Sequence, residues 1–242
     1  MKLNKLNFLK ENIRDLYLSG AVYLGLLFSF LPPALVTMFI INNPGTSFGI
    51  KHISNFYAML GMLMAVINAN RVINRDFSHN TISLFYNQQQ NRIIYVLSNF
   101  LYALSVAVIY ALNGILLLII VSKLGVPGEI GLDFGVAFIV NTILLVSFYF
   151  LLSYSLFLYK MKSGFVFGIL VGLLLFIPNI LNTILMHSSN DLLIKIIEIL
   201  PFYSLPVFVA SNTMSVNQYV VVIVGIILLY IFTIKRSKVY SF

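Results

Sequence analysis

Residues 93–122 read IIYVLSNFLYALSVAVIYALNGILLLIIVS, and no Asp, Glu, Lys or Arg occurs among them. A helix needs roughly 20 predominantly apolar residues to cross the ~30 Å hydrocarbon layer of a bilayer, and this stretch exceeds that length. Five further stretches also lack charged residues: 16–50, 52–70, 134–159, 163–190 and 199–234. Each can supply one span, so the sequence predicts an all-α integral membrane protein with six transmembrane helices.

The overall composition supports the same class. Of 242 residues, 60% are hydrophobic and only 9% charged, whereas about a quarter of the residues of soluble domains are charged. The chain has no cysteine, which excludes a disulfide framework, a thiolate nucleophile and a Cys-ligated metal. Its net charge of +8 is typical of membrane proteins that hold Lys and Arg on the cytoplasmic face, so we expect no nucleic-acid partner.

The positions of the basic residues predict an orientation. With six spans, alternate loops place twelve Lys and Arg on the side of the N-terminus and only Lys51, Lys123 and Lys195 on the other. By the positive-inside rule, both termini of this multi-pass chain are cytoplasmic. The spans are predicted near residues 18–41, 54–70, 93–121, 134–158, 164–186 and 218–234.

Two segments outside the spans are amphipathic. In residues 1–17 apolar side chains recur every three or four positions, which predicts an interfacial helix; a solvated basic tail is the alternative. The apolar positions are Leu3, Leu6, Leu9, Ile13 and Leu16. On the far side, residues 191–200 predict a second such helix that Pro201 stops. The apolar residues 202–210 are too short to cross, which favours a re-entrant or interfacial hairpin before the last span.

The longest inward loop, residues 71–92, predicts a short helix over residues 76–88. Asp76 and Ser78 are candidates to cap it. A stripe of Phe77, Thr81, Leu84 and Phe85 gives it an apolar face, which we expect to bind a partner. An interfacial helix resting on lipid is the alternative interpretation.

Polar side chains inside the spans give no sign of catalysis or ion coupling. No span contains an ionisable group of the kind that carries coupling in secondary transporters. Amides such as Asn99, Asn113 and Asn141 are interpreted as interhelical hydrogen-bonding groups. The chain has no Gly-x-Ser-x-Gly, His-Glu-x-x-His or P-loop pattern, so we expect no enzyme, cofactor or metal in this chain itself. Any energy for transport must come from another subunit.

Small and aromatic residues suggest where helices meet. Gly164, Gly168 and Gly172 fall four apart on the fifth span and predict a close helix crossing, although chance accounts for some such triplets. Without Trp, tyrosines are expected to anchor the chain at the membrane interfaces. The candidates are Tyr17, Tyr57, Tyr95 and Tyr159.

The order of these parts resembles the permease subunit of type-2 bacterial ABC exporters over essentially the whole chain. The most local element is N-R-D-F-S-H-N-T-I-S-L at residues 74–84, followed by Arg92. Asn80-Thr81 stands where the family typically has Gly-Thr, and the sequence Q-Q-Q-N at residues 88–91 replaces its Pro-containing turn. The resemblance implies that helix 76–88 and Arg92 couple the chain to a cytoplasmic ATPase subunit that binds ATP-Mg.

The resemblance also implies an assembly and a class of substrate. Such a permease pairs with a second copy or a paralogue in the bacterial cytoplasmic membrane, and small members resemble exporters of antimicrobial peptides, lantibiotics or drugs. Spans one and five would then present Tyr23, Phe30, Phe167 and Phe176 to amphipathic substrates, unless these rings face lipid or core. A non-transporting immunity or sensor protein on the same scaffold is the alternative function.

Overall fold

The computed structural model describes residues 4–43, 45–210 and 214–240, and this part of the chain is all-helical. A π-helical segment, Gly172–Phe176, joins α7 to α8. The helices are α1 Lys5–Leu18, α2 Ala21–Asn42, α3 Ile50–Ser78, α4 Ile82–Phe85, α5 Gln89–Lys123, α6 Leu132–Leu158, α7 Ser163–Val171, α8 Ile177–His187, α9 Asp191–Ile199, α10 Pro201–Phe208 and α11 Val216–Val239.

Six helical units in the described residues are long and apolar enough to cross a membrane: α2, α3, α5, α6, the continuous unit α7–α8 and α11. The six-span prediction is therefore confirmed. Most of these helices extend beyond the predicted limits, most clearly α3, which continues past residue 70 to Ser78. The exception is the start of α2, which lies at Ala21 rather than near residue 18. Charged residues mark where a span leaves the hydrocarbon layer, but they do not end a helix.

The helix α1 is held against the bundle rather than lying only on lipid. Leu16 is buried, and Phe8, Leu9 and Ile13 pack against the core, whereas Leu6 is exposed. The C-terminal half of the predicted apolar face thus packs on the bundle, and contact of Leu6 with lipid stays a prediction; Leu3 lies outside the described residues. A left-handed Gly20 (φ 74°) separates α1 from α2.

Tyrosines form much of the core between α3, α5 and α6. Tyr57 and Tyr95 are buried, so their predicted place in an interfacial belt is wrong, while Tyr17 and Tyr159 are exposed. The Tyr57 hydroxyl donates to the Tyr110 carbonyl oxygen at 2.7 Å. Burial of a phenol is tolerable because its hydroxyl finds such a partner.

The hairpin of α9 and α10 packs against the spans, as predicted. Its backbone accepts hydrogen bonds from three spanning helices: Ser54 donates to Ala210, Asn141 to Phe208 and Gln218 to Glu198, at 2.9, 3.2 and 2.8 Å. Pro201 ends α9 and also begins α10, where proline's missing N–H costs nothing. Asn99 and Asn113, unlike Asn141, donate within their own helix.

Candidate docking site at the basic end of the bundle

The connection between α3 and α5 differs from the predicted single helix over residues 76–88. The helix α3 runs on to Ser78, a one-turn helix α4 covers Ile82–Phe85, and α5 begins at Gln89. Asn80 breaks the helix with a left-handed backbone (φ 56°), a conformation that Asn accepts more readily than most residues. Asn80, which stands where the exporter permeases typically have Gly, is therefore the residue at which the chain turns.

Asp76 lies inside the bundle rather than at a helix N-cap. Its carboxylate accepts hydrogen bonds from the Tyr95 hydroxyl at 2.7 Å, Arg75 Nε at 3.1 Å and the Thr81 hydroxyl at 3.3 Å. A buried charge is costly unless it is paired and hydrogen-bonded, and these three donors meet that need. Ser78 is exposed and caps nothing; its hydroxyl bonds Asn74 at 3.4 Å. Through Tyr95, Asp76 thus anchors on α5 the turn that joins α3 to α4.

The predicted apolar stripe does not form one exposed face. Phe77 stacks on Phe157, with ring centroids 5.3 Å apart, and Phe85 stacks on Tyr95 at 5.2 Å. Leu84 alone of the apolar stripe residues is exposed, at 70%. The break at Asn80 explains the difference, because it turns the two phenylalanines toward the bundle on either side of the loop.

Arg92 joins the start of α5 to the end of α11. Its Nε donates to the Tyr86 carbonyl oxygen at 2.9 Å, and its Nη1 donates to those of Lys238 and Tyr240 at 2.8 and 2.9 Å, with that of Ser237 at 3.2 Å. A cation at the C-terminal carbonyls of a helix is favourable. Sequence reasoning placed Arg92 here but missed its partners, because nothing in the local pattern shows that α11 ends beside α5.

Tyr86 lies under the same loop. Its hydroxyl is 2.9 Å from that of Tyr154 and accepts a hydrogen bond from the Ser237 hydroxyl at 2.8 Å. Burial raises the pKa of Tyr86 to about 12. A neutral phenol therefore links α4, α6 and α11 throughout the physiological pH range.

Gly164 and Gly168 of α7 and Gly172 of the π-helical segment face open space among the described residues. A Cβ built on Gly164, Gly168 or Gly172 meets no atom within 4 Å, whereas one on Gly25 would approach Asn68 Nδ2 to 2.7 Å and meet the Tyr110 hydroxyl. The predicted close crossing is therefore absent within the described residues of one chain. Contact with a second chain stays a prediction.

The four aromatic residues predicted for a substrate pathway are not gathered together. Tyr23, Phe167 and Phe176 are exposed on the surface of the single chain. Phe30 instead packs beside Tyr57, with centroids 5.7 Å apart. Lining of a pathway by these residues needs a second subunit to enclose it.

Taken as a unit, the loop between α3 and α5 is tied to the bundle and exposes one residue of the predicted apolar stripe, Leu84. Side-chain bonds from Asp76, Tyr86 and Arg92 tie the loop to α5, α6 and α11, and Leu84 projects from it. A force on α4 would therefore reach several spans at once. Within the described residues, no group of three His, Cys, Asp or Glu is placed to hold a metal ion. No protein-family model matches the chain, and no curated protein matches it either.

Proposed function

We propose that this chain is the transmembrane permease subunit of an ATP-driven exporter in a bacterial cytoplasmic membrane, with both termini in the cytoplasm. A separate ATP-binding subunit would supply hydrolysis of ATP-Mg, and a second permease copy or paralogue would complete the pathway. The substrates would be amphipathic or hydrophobic, such as antimicrobial peptides.

The observation that carries the proposal is the exposure of Leu84 on a loop that is otherwise immobilised. A coupling element must present an apolar group to its partner and must resist bending when the partner moves. The exposed Leu84 satisfies the first requirement. The bonds of Asp76 and Arg92 satisfy the second.

The spans supply a second argument, concerning the substrate. Each of the six candidate spans has an 18-residue window with at most two charged residues. A route between such helices penalises charged solutes through desolvation but accepts apolar surface. Amphipathic molecules with an apolar face are therefore favoured over ions and sugars.

The test is Leu84→Asp in the full chain, co-expressed with the ATP-binding subunit that the proposal requires. Leu132→Asp is the matched control. Leu132 is also exposed (89%), but it begins α6 at the end of the bundle opposite to Leu84. We expect Leu84→Asp to reduce copurification of the ATPase and ATP-driven uptake of a fluorescent amphipathic peptide into inverted vesicles. Leu132→Asp should leave both unchanged.

Unchanged ATPase binding and uptake in Leu84→Asp would remove the coupling role of α4. Peptide resistance that persists after deletion of the ATPase would instead favour the immunity or sensor function. Phe77→Ala is a poor probe of coupling, because Phe77 packs on Phe157 and Tyr240 and its loss would disturb the bundle itself.

A further inference from the structure

A cavity of about 650 Å³ opens at the basic end of the bundle, between the end of α3 and the loop that joins α6 to α7. Its rim is polar, and its floor is aromatic, with Phe77, Phe157 and Tyr240. The rim residues include Ser78, Asn80, Lys160, Lys162 and Ser163. Because α6 and α7 are both candidate spans, the loop between them lies at a membrane surface.

The rim is positively charged without compensation. No carboxylate lines the cavity, and within the described residues neither Lys160 nor Lys162 forms an ion pair. The helix α7 begins at Ser163, and its N-terminus adds a partial positive charge beside the two ammonium groups. The rim therefore attracts an anion.

The backbone around the rim is unusual as well. Asn80 (φ 56°) and Lys160 (φ 61°) are the non-glycine residues with positive φ in the described part of the chain, and both line this cavity. Lys160 follows the end of α6, where glycine is the favoured residue. Its ammonium lies 5.9 Å from the centre of the Tyr240 ring, at the edge of the cavity.

A narrow apolar groove of about 50 Å³ adjoins the cavity and shares Phe157 and Ser163 with it. Val166, Phe167 and Leu170 of α7 form one side, and Ile67 and Asn70 of α3 contribute to the other. These residues lie further from the ends of the two spans than the rim residues do. The groove therefore leads from the basic rim toward the interior of the membrane.

We propose that the cavity and groove together bind an anionic phospholipid, with its phosphate between Lys160 and Lys162 and the start of an acyl chain against Phe167 and Leu170. A free phosphate ester would satisfy the rim but leave the groove empty. Basic pockets between spans commonly hold such headgroups. The inference is independent of the exporter function.

The test compares purified full-length protein in nanodiscs of phosphatidylcholine with and without phosphatidylglycerol. Lys160→Gln/Lys162→Gln removes the rim charges, and Lys235→Gln/Lys238→Gln removes two exposed charges at the same end of the bundle that do not line the cavity. Lipid retained after detergent extraction is counted by native mass spectrometry. Unfolding temperature is measured in parallel, with inorganic phosphate and glycerol 3-phosphate as headgroup-only probes.

We expect the wild type and the control pair to retain phosphatidylglycerol in preference to phosphatidylcholine. The Lys160/Lys162 variant should lose about twenty-five-fold of that preference, at about fivefold for each lysine. Equal losses of lipid preference in both variants would mean that the preference comes from the general positive charge of this surface. That result would overturn the site. Stabilisation by inorganic phosphate or glycerol 3-phosphate without lipid selectivity would overturn the lipid assignment. Unchanged preference for phosphatidylglycerol in the Lys160/Lys162 variant would likewise overturn the site.

Discussion

The hydroxyl of Tyr95 donates a hydrogen bond of 2.7 Å to the buried carboxylate of Asp76. This contact joins the end of α3 to the first turns of α5, so the two spans flanking the candidate docking loop cannot separate without breaking it. Arg75 and Thr81 complete the surroundings of the carboxylate. The position of α4 thus depends on Asp76. The sequence predicts this residue in a loop, whereas the structure buries it in the core.

Removing either partner of this contact should destabilise the bundle. Asp76→Ala leaves the buried Tyr95 hydroxyl without its acceptor, which should lower the free energy of unfolding by about 1–3 kcal/mol. The unfolding free energies in mixed micelles of the wild type, Asp76→Ala, Tyr95→Phe and the double variant would give the interaction energy of the pair. Glu11→Ala is the control, because Glu11 pairs with Arg14 at 3.9 Å with both side chains 67% exposed, and such pairs contribute little. Strict additivity of Asp76→Ala and Tyr95→Phe would argue against the contact.

Arg92→Lys should loosen the end of α11. Lysine lacks the planar fork with which Arg92 reaches the Tyr86 carbonyl oxygen and those of Lys238 and Tyr240 together. Loss of one charged hydrogen bond of about 1.5 kcal/mol corresponds to about tenfold faster amide exchange in residues 235–240. Hydrogen-exchange mass spectrometry measures this, and exposed Arg14→Lys should change nothing there. Unaltered protection of residues 235–240 in Arg92→Lys would contradict the clamp.

The sequence was sufficient for the number and order of the spans, because a charge-free stretch of membrane length has few alternatives. It was insufficient for the docking loop. Spacing alone made Phe77, Thr81, Leu84 and Phe85 one helical face, but Asn80 takes a left-handed conformation that divides them. Likewise the partners of Arg92 at the end of α11 lie 145 or more residues away, and no local pattern encodes such a contact.

Tyr86 predicts a specific loss of stability in alkali. Burial raises its pKa from 10.0 to about 12, so the native state holds the phenolic proton more tightly than the unfolded chain does. Its contribution is complete below about pH 10 and is lost as the pH rises to about 12, by about 2–3 kcal/mol. Other tyrosines also ionise there, so the measurement is the difference in unfolding free energy between wild type and Tyr86→Phe. Parallel pH curves for the two proteins would refute the linkage.

Two glycine-to-alanine substitutions should differ sharply in effect. A methyl group on Gly25 would meet the Tyr110 hydroxyl and lie 2.7 Å from Asn68 Nδ2. Since Asn68 also donates to Tyr110 at 2.7 Å, Gly25→Ala must displace that buried pair, and we expect about 1–3 kcal/mol of destabilisation. Gly168→Ala adds its methyl where no atom lies within 4 Å, so unfolding of the single chain should change by less than about 1 kcal/mol. Equal unfolding free energies for the two variants would mean that α2 does not approach α3 and α5 at Gly25. A weaker self-association of Gly168→Ala with unchanged unfolding would place the α7 glycines against a second chain.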